Sequence, residues 1–213
     1  MGELRAVMFD MDGTLVDTEA PWLEIVREVA AEFGHELTEA EVPRVVGAAV
    51  EDVMELLAAV TGTEPLALGL RLHEEFHARI AQGSPMRPGA LALLDALAAQ
   101  GVPLALVSAS PLDVIHTVLR TVGADRFAVI VSADDVERPK PFPDQYLAAM
   151  AALGVDTTSC AAVEDSPTGV AAAVAAGCPV AVVPMVLPVE PGPGRHLFAS
   201  LEDVTPDVLR SLL

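Results

Sequence analysis

Two carboxylates two positions apart, Asp10 and Asp12, lie in the run Asp10-Met11-Asp12-Gly13-Thr14, directly after the apolar stretch Ala6-Val7-Met8-Phe9. That stretch reads as a short buried strand, so side chains two apart at its end project to the same side. Gly13 then lets the chain turn sharply. Two acids held together at such an edge lose hydration and repel each other, unless a cation or a reaction needs them. A second apolar run, Ala161-Ala162-Val163, ends the same way in Glu164-Asp165-Ser166, with Pro167 as a helix-start signal. Between them stands Lys140, the chain's single lysine; every other basic residue is an arginine. An ammonium is a compact point charge and a guanidinium a wide planar fork. A lone lysine stiffened by Pro139 and Pro141 therefore marks a place where only the smaller cation fits.

Asp10, Asp12, Glu164 and Asp165 cannot all stay ionised in one partly buried crevice without a cation. Hard oxygen ligands of this kind suit Mg²⁺, with waters or a phosphate completing its octahedron. Mg²⁺ and Lys140 would then neutralise a phosphate dianion. Ser108 and the backbone N–H groups after it can donate to phosphoryl oxygens. One carboxylate is left to attack phosphorus, in the manner of enzymes that form an aspartyl phosphate. Another is left to move a proton, a contribution of about 10²–10⁴-fold.

The elements that must bring these residues together follow from the hydrophobic pattern. Apolar strands are expected at 4–9, 102–107, 127–131, 160–164 and 179–183, and helices at 89–100, 111–122, 143–153, 166–176 and 205–211, with a surface loop at 184–194. Buried strands alternating with helices predict an α/β fold with a doubly wound parallel sheet. The stretch 18–84 breaks the alternation with four helical patterns, 21–33, 38–46, 50–61 and 66–82, and no strand. The expected organisation is an α/β core of residues 1–16 and 85–213 with an α-helical domain inserted at 17–84. In open α/β sheets ligands bind beyond the carboxyl ends of the strands. Asp10, Asp12, Ser108-Ala109-Ser110, Glu164 and Asp165 all fall there, and Lys140 lies in the loop after the third strand.

Composition narrows the partners. A net charge of −19 over 213 residues argues against nucleic acid and anionic membranes, which require a basic face. Residues 169–189 carry no charge, but Gly177, Pro179, Pro184 and Pro188 interrupt them, so they read as helix, turn and strand rather than a membrane span. No basic segment precedes an apolar run at the start, so no signal peptide is expected. Cys160 and Cys178 read as reduced thiols of a cytoplasmic protein, expected to be a monomer. His73-Glu74-Glu75-Phe76-His77 matches a zinc-protease pattern, yet no further ligand accompanies it and it falls within the helical insertion.

Four motifs in order, Asp10-Met11-Asp12-Gly13-Thr14, Val107-Ser108-Ala109-Ser110, Lys140-Pro141 and Glu164-Asp165-Ser166-Pro167-Thr168-Gly169, resemble those of the haloacid-dehalogenase-like superfamily. The insertion resembles the four-helix cap of its β-phosphoglucomutase-like branch. Asp17-Thr18-Glu19-Ala20-Pro21-Trp22 and Ser108-Ala109-Ser110-Pro111-Leu112 look most like the hexitol and 2-deoxyglucose-6-phosphate phosphatases. The resemblance implies a Rossmann-like core, a Mg²⁺ cofactor and a small phosphomonoester substrate. It implies Asp10 as nucleophile and Asp12 as general acid/base. Mg²⁺ would be held by Asp10, Asp165, the backbone carbonyl of Asp12, and Glu164 either as ligand or from behind. Ser108, Ala109 and Lys140 would hold the phosphoryl group, with Glu19 and Trp22 near the rest of the substrate. A phosphosugar mutase or a catalytically silent phosphate binder are the alternatives. Trp22 stands where such mutases carry a histidine and Val50 where they carry an arginine. Without that arginine the second phosphate of a bisphosphate has no clamp, which leaves hydrolysis as the expected reaction.

Overall fold

The computed structural model describes residues 3–46, 48 and 50–213, with the backbone alone for Glu19. The chain falls into two compact units, Met1–Asp17 with Pro85–Leu213, and Thr18–Ser84. The first contains β1 (Ala6–Phe9), α4 (Ala90–Ala99), β2 (Leu104–Val107), α5 (Leu112–Val122), β3 (Val129–Val131), α6 (Asp144–Leu153), β4 (Cys160–Glu164), α7 (Pro167–Ala175), β5 (Val180–Val182), β6 (Arg195–Leu197) and α8 (Pro206–Ser211). The second contains α1 (Glu19–Glu32), α2 (Val50–Thr61) and α3 (Pro65–Ile80).

The six strands form one sheet in the order β3-β2-β1-β4-β5-β6, and every pairing is parallel. This is the doubly wound α/β arrangement, with the strand order reversing between β1 and β4. β1, β2, β4 and β5 are buried along their whole length, which is why they are unbroken apolar runs rather than alternating ones. On one face of the sheet Met8, Val107, Ala162 and Val180 pack with Tyr146, Met150 and Val170.

Register decides what meets at the carboxyl edge. Phe9 lies opposite Leu106 on one side and Val163 on the other. One step further, Asp10, Val107 and Glu164 therefore end side by side across β1, β2 and β4. α7 starts immediately beyond: Ser166 caps it by accepting from the Gly169 N–H at 3.1 Å, and Pro167 occupies its first turn. Cys160 and Cys178 are both free and buried, with sulfurs 3.8 Å apart.

Two elements depart from the sequence-based expectation. β6 follows the expected loop at 184–194. It is a three-residue edge strand carrying Arg195 and His196 and only half-buried, so it has no apolar signature. In the second unit, the helix expected over 38–46 is instead one 3₁₀ turn, Val42–Arg44. Pro43 lies inside it and has no N–H to continue a helix. The Thr38 N–H and hydroxyl both donate to Glu41 Oε2 at 2.8 Å, closing a local turn. Among the described residues the insertion is thus three α-helices and one turn rather than four helices.

Ile25, Val29, Leu57, Leu68 and Leu72 form the core of that unit. Arg71 and Arg79 on α3 pair with Glu32, Glu24 and Glu28 on α1. These exposed pairs add little; burial of the apolar stripes holds the helices together. Among the described residues no single helix is long and apolar enough to cross a membrane. Leu57 is fully buried at the centre of this cluster. Leu57→Ala is expected to destabilise the helical unit by about 2–5 kcal/mol, measured as a lower urea midpoint by circular dichroism; an unchanged midpoint would contradict the packing.

Candidate active site

At the carboxyl edge of β1, β2 and β4 a single ammonium holds the site together. Lys140 Nζ donates to Asp10 Oδ1 at 2.6 Å, Glu164 Oε1 at 2.7 Å and the Val107 carbonyl at 2.8 Å. These are the three positions that the strand register aligns. Nζ has three protons, and the three acceptors use them all. The Lys140 side chain is 3 % exposed. Burial alone would strip its charge, but Asp10 and Glu164 outweigh that and keep it protonated, above the ordinary lysine range.

Asp10 is buried, and its Oδ2 has no hydrogen-bond partner among the described residues. Burial pushes its carboxyl well above the ordinary aspartate range. Lys140 opposes that shift, and Glu164, Asp165 and Asp12 reinforce it. Asp165 is pushed up to about 7, by burial first and then by the Glu164 charge, against the hydrogen bond from Thr14. That bond runs from Thr14 Oγ1 to Asp165 Oδ1 at 3.1 Å. Asp10, Glu164 and Asp165 each present a carboxylate oxygen, all within 4.8 Å of one another. Three hard oxygen donors, one of them buried and unsatisfied, beside a single ammonium are the surroundings a divalent cation requires.

Glu164 is the most heavily bonded group. Its Oε1 accepts from Lys140 and from the Tyr146 hydroxyl at 2.7 Å, and its Oε2 from the Asp165 N–H at 3.2 Å and the Ser166 hydroxyl at 3.3 Å. Two glycines leave room for these carboxylates. A Cβ on Gly169 would overlap Glu164. One on Gly13, where φ is +81°, would overlap Asp165 as well as strain the turn.

Asp12 lies on the same edge, half-buried, where Oδ2 accepts from Ser110 Oγ at 2.7 Å and Ser108 Oγ at 3.4 Å. Ser108 is fully buried, Ala109 is exposed, and the Ser110 N–H donates to Ser108 Oγ at 3.0 Å. The loop after β2 therefore carries hydroxyls beside the second aspartate and a backbone turn open to solvent. Asp10, Asp12, Ser108, Lys140, Glu164 and Asp165 are all brought together within the first unit. Trp22 belongs to the helical unit, half-buried against its core and edge-on to Phe76, with ring centroids 5.8 Å apart. The side chain of Glu19 lies outside the described residues. His73 and His77 share one face of α3, with ring centroids 4.3 Å apart.

Sequence reasoning passed over Ser110, Thr14, Gln145 and Tyr146 as site residues. Ser110 and Thr14 lay inside motifs already singled out. Tyr146 is the chain's only tyrosine, the same compositional signal that picked out Lys140. Gln145 is buried, and only its neighbours in space reveal its role.

Residues 7–183 match the family model described as haloacid dehalogenase-like hydrolase. The chain is 34% identical over 185 residues to hexitol phosphatase A of Escherichia coli K12, covering 84% of this chain and 82% of the relative. It is 34% identical over 186 residues to phosphoglycolate phosphatase of Yersinia pseudotuberculosis, covering 83% and 79%. The solved structure of a HAD family hydrolase from Deinococcus radiodurans R1 with bound phosphate and sodium superposes with a TM-score of 0.79 at 30% identity, covering 100% of this chain and 99% of that one.

The raised Asp165 carboxyl makes a signed prediction for the metal-free protein. Its pKa is near 7 folded and about 3.9 unfolded, so its charge opposes folding above about pH 7 and no longer does so below about pH 4. The stability advantage of Asp165→Asn over the parent should therefore grow between pH 5 and pH 8, with Tm rising about 2–4 °C for each 1 kcal/mol of relieved penalty. Thermal melts in chelator at both pH values test this; a constant difference would count against it.

Proposed function

The chain belongs to the haloacid dehalogenase-like hydrolase family and is a phosphatase, and on that footing we propose that it hydrolyses a small phosphomonoester, of the sugar or polyol phosphate class, with Mg²⁺. The observation that carries this reading is the buried Asp10 carboxylate, fixed through Oδ1 by Lys140 and left unsatisfied at Oδ2. A structural carboxylate so deeply buried would have both oxygens satisfied; a nucleophile or ligand keeps one in reserve.

In the proposed reaction Ser108 and the N–H groups that follow it hold the phosphoryl oxygens, and Lys140 joins them by exchanging one of its three acceptors for a phosphoryl oxygen. The Asp10 carboxylate attacks phosphorus as the bond from phosphorus to the ester oxygen breaks. Asp12 gives its proton to the departing alkoxide, so the leaving group is a neutral alcohol and Asp10 carries the phosphoryl group. Asp12, now a carboxylate, takes a proton from water as the water oxygen attacks phosphorus; Asp10 is released and inorganic phosphate forms. The hydrogen bonds from Ser110 and Ser108 keep the Asp12 carboxylate oriented on this edge. Asp10, Glu164, Asp165 and the Asp12 carbonyl are the residues that would hold Mg²⁺, which supplies charge neutralisation at the phosphoryl group. The insertion Thr18–Ser84 is read as the cap of the family, with Glu19 and Trp22 as candidates for choosing the alcohol half. We place the enzyme in the cytoplasm, in keeping with its two free thiols, and read it as a monomer.

Phosphate release from sugar, polyol, nucleotide and glycolate phosphates, with and without Mg²⁺, tests the proposal. Release is expected to require Mg²⁺, to favour small sugar or polyol esters, and to fall by about 10⁴-fold or more in Asp10→Asn. Turnover retained in a folded Asp10→Asn protein would remove Asp10 as the nucleophile.

A further inference from the structure

The two groups proposed to hold the phosphoryl oxygens, Ser108 and Lys140, come from different loops, one after β2 and one ahead of α6. One side chain joins them. Gln145, in the first turn of α6, is 0 % exposed. Its Oε1 accepts from the Lys140 backbone N–H at 3.0 Å, and its Nε2 donates to the Ser108 carbonyl at 2.6 Å. Both ends of the amide face backbone groups of matching polarity, so its orientation is set: flipped, it would oppose donor to donor and acceptor to acceptor.

We propose that Gln145 is a positioning residue of the phosphoryl clamp, setting the spacing between the Ser108 loop and the Lys140 backbone. This inference rests on the reading of Ser108 and Lys140 as phosphate-holding groups. The remaining anchors leave this task to it. Lys140 is otherwise fixed at Nζ, at the far end of a flexible stem, by Asp10, Glu164 and the Val107 carbonyl. The Ser108 hydroxyl is held by Asp12 and Ser110, and its main chain is otherwise fixed through its own N–H, which donates to the Val131 carbonyl at 3.0 Å. Neither set ties the Lys140 main chain to the Ser108 main chain; Gln145 spans that gap with two bonds from one rigid planar group. The next residue, Tyr146, donates to Glu164 Oε1, the oxygen on which Lys140 docks. The first turn of α6 thus supports both the backbone of the lysine and a carboxylate that receives its ammonium. Gln145 touches no reacting atom in this scheme and acts only through Ser108 and Lys140.

Gln145→Met keeps the volume and removes both bonds. The test measures binding of inorganic phosphate by calorimetry in the presence of Mg²⁺, together with kcat and KM on the best ester of the panel and the melting temperature. Met150→Ala, in the buried face of the same helix, serves as a comparably destabilised control. Gln145→Met is expected to weaken phosphate binding and to lower kcat/KM by up to about 100-fold, while Met150→Ala, folded at the assay temperature, binds phosphate as the parent does. A folded Gln145→Met protein with parental phosphate affinity and KM overturns the inference, as does an equal loss in Met150→Ala. Should Gln145→Met fail to fold, Gln145→Glu decides: it keeps the acceptor toward Lys140 and lacks the donor toward Ser108. It should show the weakened phosphate binding, and parental affinity there overturns the inference. A parent protein that neither binds phosphate nor hydrolyses any ester overturns the reading of the site and this inference with it, whereas failure of the variants to differ from an active parent overturns the inference alone.

Discussion

The buried Lys140 ammonium is the interaction on which the rest of the site depends. Among the described residues of the first unit it is the cation that pairs with Asp10 and Glu164, and it spends all three protons on groups that the sheet delivers to one edge. Removing it would leave Asp10 and Glu164 buried without a counter-charge, a far larger penalty than the pair's net contribution to stability. The arrangement remains electrostatically short of positive charge. Asp10 and Asp165 are both pushed upward, by burial first and then by the neighbouring carboxylates. In the proposed reaction a divalent cation would supply the missing positive charge, which the carboxylates and an incoming phosphoryl group both need.

The fold provides the edge through register rather than through any single residue. Parallel strands place equivalent positions side by side, so the pairing of Phe9 with Leu106 and Val163 is sufficient to align Asp10, Val107 and Glu164. The strand order reverses between β1 and β4, the position at which ligands bind in open α/β sheets. The flanking parts then need only close approach. Gly13 and Gly169 supply it by leaving space that carboxylates fill, and Ser166 anchors both the start of α7 and Glu164 Oε2.

Much of this was legible in the chain. The paired acids after apolar runs, the lone lysine between prolines, and the strand–helix alternation all rest on residue type and local spacing. What escaped was whatever depends on non-local geometry. Gln145 looks like an ordinary helix residue until α6 is seen behind two loops at once. Ser110 gains its meaning only because Asp12 lies within reach of its hydroxyl. The helical periodicity over 38–46 was real as a pattern, but Pro43 and the Thr38–Glu41 turn chemistry prevailed over it. β6 gave no signal because a short edge strand has one neighbour, is wet on its open side and tolerates Arg195 and His196.

The overall acidity makes the local clamp matter more. A chain with 31 acidic and 12 basic residues repels a phosphate ester at long range. At physiological ionic strength that repulsion is screened beyond about 8 Å, so remote surface carboxylates have little influence once the ester is at the sheet edge. Inside that distance, in a poorly solvated crevice, screening is weak and each charge counts fully. Binding an anion there must come from a few favourable contacts held in fixed geometry. The loops that carry Ser108 and Lys140 would be free to drift on a sheet edge. Fastening them to each other and to α6 through buried amide and hydroxyl bonds keeps those contacts in place before the anion arrives, so that its binding is not spent on ordering the site.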